Sequence, residues 1–294
     1  MTTYIYALGF FDGVHLGHQA LLNAVKTLAP RGQRGVVTFS GHPDTLVLGT
    51  TPELINTSED RERLLRHFGM DRVVTLPFDK KMQSTPWQDF LEELRGDYGA
   101  AGFVCGEDFR FGAFGAGSAS LLQDYCEKEG LPCAVVPEQE VDDIRVSSTY
   151  IRQLLHEGLM NRAVRFLGHP HVLTGSVVHG RQIGRTLGIP TANLRLPEGL
   201  VIPRFGVYAC RATADGKTLR VFQNRGFQFF QRVELPLRAK KFVEFQGDFL
   251  TVEVAVVVGE GLTLAHQISC SSKTHKGFDF TYKGSFQLLI RIDN

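Results

Sequence analysis

The first half of the chain alternates short apolar runs with segments whose apolar residues recur at helical spacing. The runs "YIYALGF", "GVVTF", "DRVVTLPF" and "GFVCG" have the length of strands, and the segment after the first run carries Leu21, Leu22 and Val25 on one helical face. Strands that alternate with helices indicate βαβ units and a mostly parallel sheet. We therefore expect an N-terminal doubly wound, Rossmann-like α/β domain in residues 1–157.

The pattern changes after two short helical segments that meet at Gly158. The strand-like runs "HVLTGSVVHG", "GVYACRATA", "TLRVFQN" and "FLTVEVAVVVG" follow one another with glycine-rich connections and no clear helix between them. Such a pattern predicts an all-β, Greek-key type barrel over residues 158–294. From about residue 221 the sequence becomes rich in phenylalanine and fits this β domain less well.

Charge and cysteine content narrow the class of protein. The 32 Lys and Arg residues nearly balance the 31 Asp and Glu residues, so the formal charge of +1 gives no reason to expect nucleic acid as a partner. The five cysteines are odd in number and include no C-x-x-C pair, which favours a reducing cytoplasm. No apolar run is long enough to span a membrane, and the first residues lack the basic start of a signal peptide. We expect a cytoplasmic monomer or weak homo-oligomer that acts on small molecules.

The segment "GFFDGVHLGH" ends a strand at Gly9 and starts a helix near residues 16–18. Backbone N–H groups at a helix N-terminus bind anions, and Gly13 and Gly17 let the backbone approach them closely. His15 and His18, three residues apart on the first turn, can both donate to a phosphate whose charge grows in a transition state. The segment predicts nucleotidyl transfer; the alternative is an ordinary turn with surface or capping histidines.

Two further segments suggest binding groups. "VSSTYIR" supplies hydroxyls at a helix start and Arg152 one turn later, which suits triphosphate oxygens, although it also fits a capped helix with a solvent arginine. "GEDFRFG" follows a strand, so Asp108, Phe109 and Phe111 lie at the carboxyl edge where α/β proteins bind ligands. The alternative for the two rings is core packing. His42 in "GHP" either reaches the same crevice or is a turn residue.

Together with "VVTFSGHP", "GSVVHGRQIGRTLGIPTANL" and "IPRFGVYA", these segments resemble, in order, motifs of the prokaryotic bifunctional riboflavin kinase/FAD synthetase family, within the H-x-G-H nucleotidylyltransferases. The resemblance runs from residue 5 to about residue 210. It implies an FMN adenylyltransferase domain followed by a flavokinase-like domain.

For the first domain the resemblance implies catalytic roles for His15, His18 and Arg152. The implied ATP-binding residues are Gly9, Phe10, Asp12, Gly13, Gly17, Ser147, Ser148 and Thr149. The implied FMN-binding residues are His42, Asp108, Phe109 and Phe111. The FMN phosphate would attack the α-phosphorus of ATP in line, with no side-chain nucleophile.

For the second domain the resemblance implies a nucleotide site and a Mg²⁺ site. The implied kinase nucleotide-binding residues are Gly175, His179, Gly180, Arg181, Gly184, Arg185 and Pro190. Thr191 and Asn193 alternate on an extended segment and would hold Mg²⁺ with an ATP phosphate, since Mg²⁺ prefers oxygen ligands. The alternative is a barrel strand with incidental polar residues.

The chain departs from the family pattern in three places. Phe10 replaces an asparagine, and "GAFGAGS" lacks the basic residues that often follow "D-F-R-F-G". After Arg220 the expected "N-x-G-x-R-P-T" becomes "NRGFQFF". The kinase base in the family is a glutamate of the next strand. We assign it to Glu234, with Glu244 and Glu253 as the other candidates, and a solvent-facing carboxylate is the alternative role for Glu234.

The leading hypothesis is a bifunctional flavin enzyme. It would use ATP to phosphorylate riboflavin to FMN and to adenylylate FMN to FAD, releasing pyrophosphate. The first alternative is an FMN adenylyltransferase with a degenerate kinase domain. The others are a non-catalytic flavin- or nucleotide-binding regulator and a cytidylyltransferase with another acceptor.

Overall fold

The computed structural model describes residues 2–47, 49–178, 191–204, 206–214, 217–225, 231–234, 249–259, 268–270 and 280–282. The chain divides into two compact units. The first consists of Met1–Thr174 and Pro197–Ile202, and the second of Gly175–Leu196 and Pro203–Asn294. The domain boundary between residues 157 and 158 stays a prediction.

The first unit is built around a parallel sheet. Its strands are β1 (Tyr4–Leu8), β2 (Gln33–Phe39), β3 (Arg72–Leu76), β4 (Ala100–Gly106), β5 (Arg110–Phe111), β6 (Gly117–Ser118), β7 (Cys133–Val136), β8 (Glu140–Val141) and β9 (Ile144–Arg145). Five of them lie in the order β3-β2-β1-β4-β7, and each neighbouring pair is parallel. The strand order reverses between β1 and β4, which makes this the place where α/β sheets bind ligands.

Helices cover both faces of this sheet. They are α1 (Leu16–Leu28), α2 (Pro43–Val47), α3 (Ser58–His67), α4 (Lys80–Ser84), α5 (Trp87–Gly96), α6 (Ala119–Glu129), α7 (Ser148–Glu157) and α8 (Met160–Leu167). Alternate residues of β1 point to opposite faces, so Ile5 packs with the apolar stripe of α1, and Tyr6 with those of α5 and α6. The predicted α/β domain with a parallel sheet is confirmed.

The ends of α7 follow from its sequence. The side chain of Ser147 accepts a hydrogen bond from Tyr150 N, which satisfies one of the free N–H groups of the first turn. Gly158 ends the helix in a left-handed conformation with φ of 78°, which glycine adopts at little cost. The capped start of α7 therefore has a defined position beside the carboxyl edge of the sheet.

The strands after α8 are antiparallel. They are β10 (His171–Val178), β11 (Thr191–Arg195), β12 (Gly206–Ala214), β13 (Lys217–Arg225), β14 (Gln231–Glu234), β15 (Phe249–Gly259), β16 (Ile268–Cys270) and β17 (Phe280–Tyr282). Six of them lie in the order β10-β11-β14-β13-β12-β15.

Several predicted site residues lie outside the described residues. They are His179, Gly180, Arg181, Gly184, Arg185, Pro190 and Glu244. Within the part of the chain that the structure describes, no helix is long and apolar enough to cross a membrane.

Candidate active site

A cleft of about 750 Å³ opens at the carboxyl ends of β1 and β4, at the reversal of strand order. The predicted residues that line it are Gly9, Phe10, His15, Gly17, His18, Asp108, Phe109, Phe111, Ser147 and Ser148. Those outside the lining are Asp12, Gly13, His42, Thr149 and Arg152. We call the part formed by residues 9–18 the turn end and the part formed by residues 108–115 the aromatic end.

The turn between β1 and α1 is strained. Phe11 and Val14 have φ of 62° and 42°, values that non-glycine residues rarely adopt, and Gly13 between them has φ of 81°. Such strain costs about 1–3 kcal/mol for each residue and persists only where surrounding contacts enforce it. Phe11 and Val14 are fully buried, so packing supplies part of that enforcement.

Hydrogen bonds from distant side chains supply the rest, because they fix the carbonyl groups of the turn. The pairs are Thr38 Oγ1 to Phe10 O at 2.8 Å, Ser148 Oγ to Asp12 O at 2.9 Å, Gln19 Nε2 to Val14 O at 2.9 Å, and His169 Nε2 beside Gly13 O at 2.8 Å. Sequence reasoning missed Gln19 and His169. Gln19 contacts the turn from the adjoining helix α1, and His169 contacts it from 156 positions away; no local motif marks either of them.

His15 and His18 form a stacked pair at the start of α1. Their ring centroids lie 3.6 Å apart with an interplanar angle of 15°. His15 is also the N-cap of the helix, since its Nδ1 accepts a hydrogen bond from His18 N at 3.3 Å. With Nδ1 acting as an acceptor, the proton of a neutral His15 lies on Nε2, which can donate. The predicted capping role and a donor role therefore coexist.

Burial keeps both histidines neutral. It lowers the pKa of His15 to about 3, with smaller contributions from the charges of His169 and Arg152. Burial also lowers the pKa of His18 well below its usual value, and the charges of His15 and Arg61 act in the same direction. His18 Nδ1 is buried and has no hydrogen-bond partner among the described residues. The site therefore presents neutral imidazole donors to a ligand.

Asp12 and Arg152 form a buried ion pair behind the lining. Asp12 Oδ2 lies 3.1 Å from Arg152 Nη2, and Asp12 Oδ1 accepts hydrogen bonds from Ile55 N at 2.8 Å and Asn56 N at 3.3 Å. Burial raises the pKa of Asp12, while Arg152 and the two backbone N–H groups oppose that rise. In this structure the pair ties the turn to α7.

Phe10 packs between two groups that the sequence did not connect. The guanidinium of Arg61 lies 4.3 Å from the centre of the Phe10 ring, and the His42 ring meets it edge-on at 4.6 Å. Arg61 is fully buried and donates to Phe39 O at 2.6 Å. A cation over an aromatic face is stabilising, more so when it is desolvated. Phe10, which replaces the asparagine of the family pattern, therefore packs against Arg61 of α3. The sequence of that helix, "SEDRERLLRH", is mostly charged and by itself predicts a solvent-exposed surface.

The aromatic end holds one buried and one exposed ring. Phe111 is 7% exposed, stacks on Phe109 at 5.5 Å, and packs against Trp87 and Phe90 of the core. Phe114 is 84% exposed and has φ of 50°, between two glycines that also have positive φ. Phe111 therefore lines the cleft and also packs in the core, the alternative considered for it from the sequence. Phe114, in contrast, exposes its ring at the cleft.

Three charged groups in or beside the aromatic end are paired with one another. Arg145 lies 2.5 Å from Asp108 Oδ2 and 2.6 Å from Glu138 Oε1. Glu107 and Arg110 also line the cleft here, so the three carboxylates and two cations together carry a net charge of about −1. An anionic group is therefore disfavoured here and favoured at the turn end, where the backbone N–H groups and imidazoles lie.

In the second unit, strand register relates the predicted kinase residues. Thr191 on β11 pairs directly with Glu234 on β14, and Asn193 pairs with Arg232. Directly opposite residues share a face of a sheet, and residues two apart on one strand share it too. Thr191, Asn193 and Glu234 therefore lie on one face at neighbouring positions. The register places Glu253 on that face too, but opposite Arg211 of β12, on the strand β15, which adjoins neither β11 nor β14.

Close backbone packing explains one predicted glycine. A Cβ atom on Gly175 would lie 2.6 Å from Arg195 O, nearer than such atoms approach. Within the part of the chain that the structure describes, no group of three His, Cys, Asp or Glu side chains forms a metal site.

Comparison with known proteins gives matches along most of the chain. The sequence model of the FAD synthetase family matches residues 2–150, and that of the riboflavin kinase family matches residues 167–263. The chain is 34% identical over 220 residues to the bifunctional riboflavin kinase/FMN adenylyltransferase of Listeria monocytogenes. The aligned region covers 73% of this chain and 69% of that protein. The protein of the same name from Bacillus subtilis is 34% identical over 232 residues, or 76% and 72% of the two chains.

A solved structure from Streptococcus pneumoniae, described as a macrolide-efflux protein, has a TM-score of 0.77 and 27% identity. It covers 89% of this chain and 88% of that chain, so the fold is shared over most of both. The two family matches and the 34% identical relatives confirm the resemblance of the motifs. The chain belongs to the bifunctional riboflavin kinase/FMN adenylyltransferase family.

Proposed function

We propose that this chain makes FAD in two ATP-dependent steps, the phosphorylation of riboflavin to FMN and the transfer of AMP from ATP to FMN. The observation that carries the second step is the neutral, stacked pair of His15 and His18 at the start of α1. They follow a strained turn whose carbonyl groups accept hydrogen bonds from side chains outside the turn. A site of this kind stabilises charge that develops on a phosphate without reorganising during the reaction.

At the turn end, an oxygen of the FMN phosphate attacks the α-phosphorus of ATP, and the bond from that phosphorus to the pyrophosphate oxygen breaks. Negative charge spreads over the oxygens of the transferring group. His15 Nε2 and the His18 ring donate to those oxygens, and Ser147 and Ser148 line the same end. Positioning and charge stabilisation supply the catalysis, so no side-chain nucleophile is needed.

Charge orients the flavin in the cleft. The ion-pair cluster of Arg145, Asp108 and Glu138 disfavours a phosphate at the aromatic end, so the FMN phosphate points towards His15. The uncharged ring system then lies along Phe109 and Phe114, where aromatic faces stack favourably. His42 supports the turn end indirectly, through its edge-on contact with Phe10. Arg152 orders the start of α7 through Asp12.

For the kinase step, we propose that the second unit is a Greek-key barrel. The strands β15-β12-β13-β14 follow the 4-1-2-3 order of a Greek key, which supports this fold. We assign the kinase base to Glu234 rather than to Glu253, because Glu234 lies directly opposite Thr191, whereas Glu253 lies on β15, which does not adjoin the strand of Thr191.

The oxygen donors of Thr191 and Asn193 suit Mg²⁺, which usually retains waters and substrate phosphates among its ligands. When bound, Mg²⁺ neutralises charge on the ATP phosphates. Glu234 would take the proton of the riboflavin hydroxyl that attacks the γ-phosphorus, and the bond from that phosphorus to the bridging oxygen of ADP would break, releasing ADP. The nearly balanced charge of the chain supports small-molecule substrates, and we propose that it works in the cytoplasm as a monomer or weak homo-oligomer without nucleic acid or membrane partners.

A two-substrate assay tests both steps. Purified protein with ATP and Mg²⁺ is given FMN or riboflavin, and the flavins are separated and quantified. We expect FAD from FMN, and FMN followed by FAD from riboflavin. FAD from FMN alone would limit the function to adenylyl transfer. Flavin binding without any product would overturn the proposal in favour of a non-catalytic binder.

A further inference from the structure

His169 lies between two carbonyl oxygens. Its Nε2 is 2.8 Å from Gly13 O, and its Nδ1 is 2.7 Å from Pro170 O. A carbonyl oxygen only accepts hydrogen bonds, and a neutral imidazole carries a single N–H. A neutral His169 would leave one ring nitrogen with its lone pair facing a carbonyl oxygen. The protonated ring donates to both oxygens at once.

The contact with Gly13 lies at the centre of the strained turn. The other carbonyl groups that receive side-chain hydrogen bonds there are held by Thr38, Ser148 and Gln19, none of which titrates. Gly13 O is held by His169, whose number of N–H donors depends on the protonation of its ring. His169 thus makes one of the four fixing contacts depend on pH.

The position of His169 is set by packing. Gly168 has φ of 73°, and a Cβ atom on it would lie 2.5 Å from Leu16 Cδ2, so this segment is pressed against the start of α1. The His169 ring also lies 5.8 Å from Phe68 at the end of α3. The ring therefore has little freedom to turn away from Gly13.

The titratable groups around His169 are compatible with a positive charge on its ring. His15 on α1 and His171 on β10 interact with it electrostatically, and burial lowers the pKa of these two to about 3 and about 4. Both are therefore neutral near pH 7. Asp12 adjoins Gly13 in the turn and is paired with Arg152. His67 lies next to Phe68 and contacts its ring.

We propose that His169 is a positioning residue for adenylyl transfer, which as an imidazolium holds the carbonyl of Gly13 and so fixes the part of the turn that directly precedes His15 and His18. The inference rests on the proposed FMN adenylyltransferase activity. His169 does not line the cleft and touches no reacting atom. Loss of its proton leaves one N–H for two carbonyl oxygens, so Gly13 O and Pro170 O then compete for it.

The test compares wild type, His169→Gln and His169→Arg for FAD formation from FMN and ATP at about pH 6 and about pH 8.5, on either side of an ordinary imidazole titration. Glutamine keeps one donor without a charge, and arginine keeps both donors and the charge at either pH. We expect the wild type to exceed His169→Gln in kcat/KM by about threefold to tenfold at the lower pH, the effect of one hydrogen bond, and by much less at the higher pH. His169→Arg should keep the advantage at both.

His156→Gln is the matched control, since it removes an exposed histidine that pairs with Glu53. It should follow the wild-type profile. A wild type and a His169→Gln variant that keep a constant ratio across pH would overturn the inference, as would a His169→Arg variant that falls with pH as the wild type does.

A melting experiment separates this inference from the proposed function. A group that is protonated in the fold gives stability that is present at low pH and lost as the pH rises through its titration. The melting temperature of the wild type should therefore exceed that of His169→Gln at about pH 6, and the gap should close by about pH 8.5. If the wild type makes no FAD, the proposed function fails. The difference in melting temperature between wild type and His169→Gln then still decides whether His169 is protonated and stabilises the turn.

Discussion

At the turn end of the cleft His15 is 7% exposed and stacked on His18, whereas at the aromatic end Phe114 is 84% exposed. The turn end is held by hydrogen bonds from side chains of β2, α1 and α7 and of the segment between α8 and β10. The aromatic end consists of the short strand β5 with the buried Phe111 and a glycine-bounded turn that carries Phe114, beside an exposed cluster of ion pairs. One cleft therefore combines a rigid end and an adaptable end.

This difference assigns different tasks to the two ends. Charge stabilisation requires groups that are already in place when charge develops, and buried, over-determined side chains meet that requirement. Recognition of a flat ring tolerates looser contacts, because stacking depends weakly on exact position. Substitutions at the turn end should therefore lower kcat, and those at the aromatic end should mainly raise KM for FMN.

The largest expected effect is that of His18→Ala. Removing one preorganised donor lowers kcat by a factor of about 10²–10³, so FAD formation should fall by that factor. Flavin binding, measured by the quenching of flavin fluorescence, should be retained. His156→Ala is the surface control and should keep wild-type activity. Unchanged FAD formation by His18→Ala would remove the turn end from the mechanism.

Asp12→Asn should be the next largest. It keeps the shape of the side chain but leaves Arg152 facing an uncharged amide, and breaking a buried pair costs about 3 kcal/mol. Urea unfolding should show this loss, and kcat should fall because the turn and α7 are no longer tied by charge. Asp142→Asn, which breaks the exposed pair with Arg165, is the matched control and should cost less than about 1 kcal/mol.

The neutral state of His15 predicts a pH dependence of stability. Its pKa is about 3 in the fold and about 6.5 in an unfolded chain, so the unfolded state binds more protons between these values. The free energy of unfolding should therefore decrease as the pH falls below about 6.5, by on the order of 1–2 kcal/mol between about pH 7 and about pH 5 from this residue. His15→Asn, which retains the helix cap, should lose that part of the dependence in urea titrations. Equal slopes for the two proteins would show that His15 is not held neutral.

The smallest expected effect lies at the aromatic end. Phe114→Ala should raise KM for FMN about threefold to tenfold, the value of one aromatic stacking contact, and leave kcat nearly unchanged. Leu159→Ala removes another exposed apolar side chain and should change neither. A fall in kcat with unchanged KM would mean that the aromatic end takes part in the chemistry and would erase the contrast between the two ends.

Much of the first unit could be predicted from local sequence. Hydrophobic periodicity gave the alternation of strands and helices, and the turn motif lay where β1 meets α1. The second unit could be predicted as strands, because its apolar runs and glycine-rich connections differ visibly from the first half. Local sequence patterns were enough to predict an element wherever its buried residues recur with the period of a helix or a strand.

The contacts that hold the site could not be predicted in the same way. Gln19 donates to Leu167 O, 148 positions away, and His169 approaches Gly13 O across 156 positions. Arg61 reads as one charge among several, yet it lies under Phe10. Periodicity reports which face of an element is buried and not which distant element covers it. The roles assigned to the site residues stay predictions.

The central claim is that the turn end transfers an adenylyl group, and the fate of the α-phosphate tests it most directly. The protein is given FMN and ATP labelled at the α-phosphorus, and the label is followed in FAD and pyrophosphate. We predict that the label enters FAD in the wild type, that the pyrophosphate is unlabelled, and that His18→Ala loses this transfer. Label that stays out of FAD, or the same transfer in wild type and His18→Ala, would contradict the account.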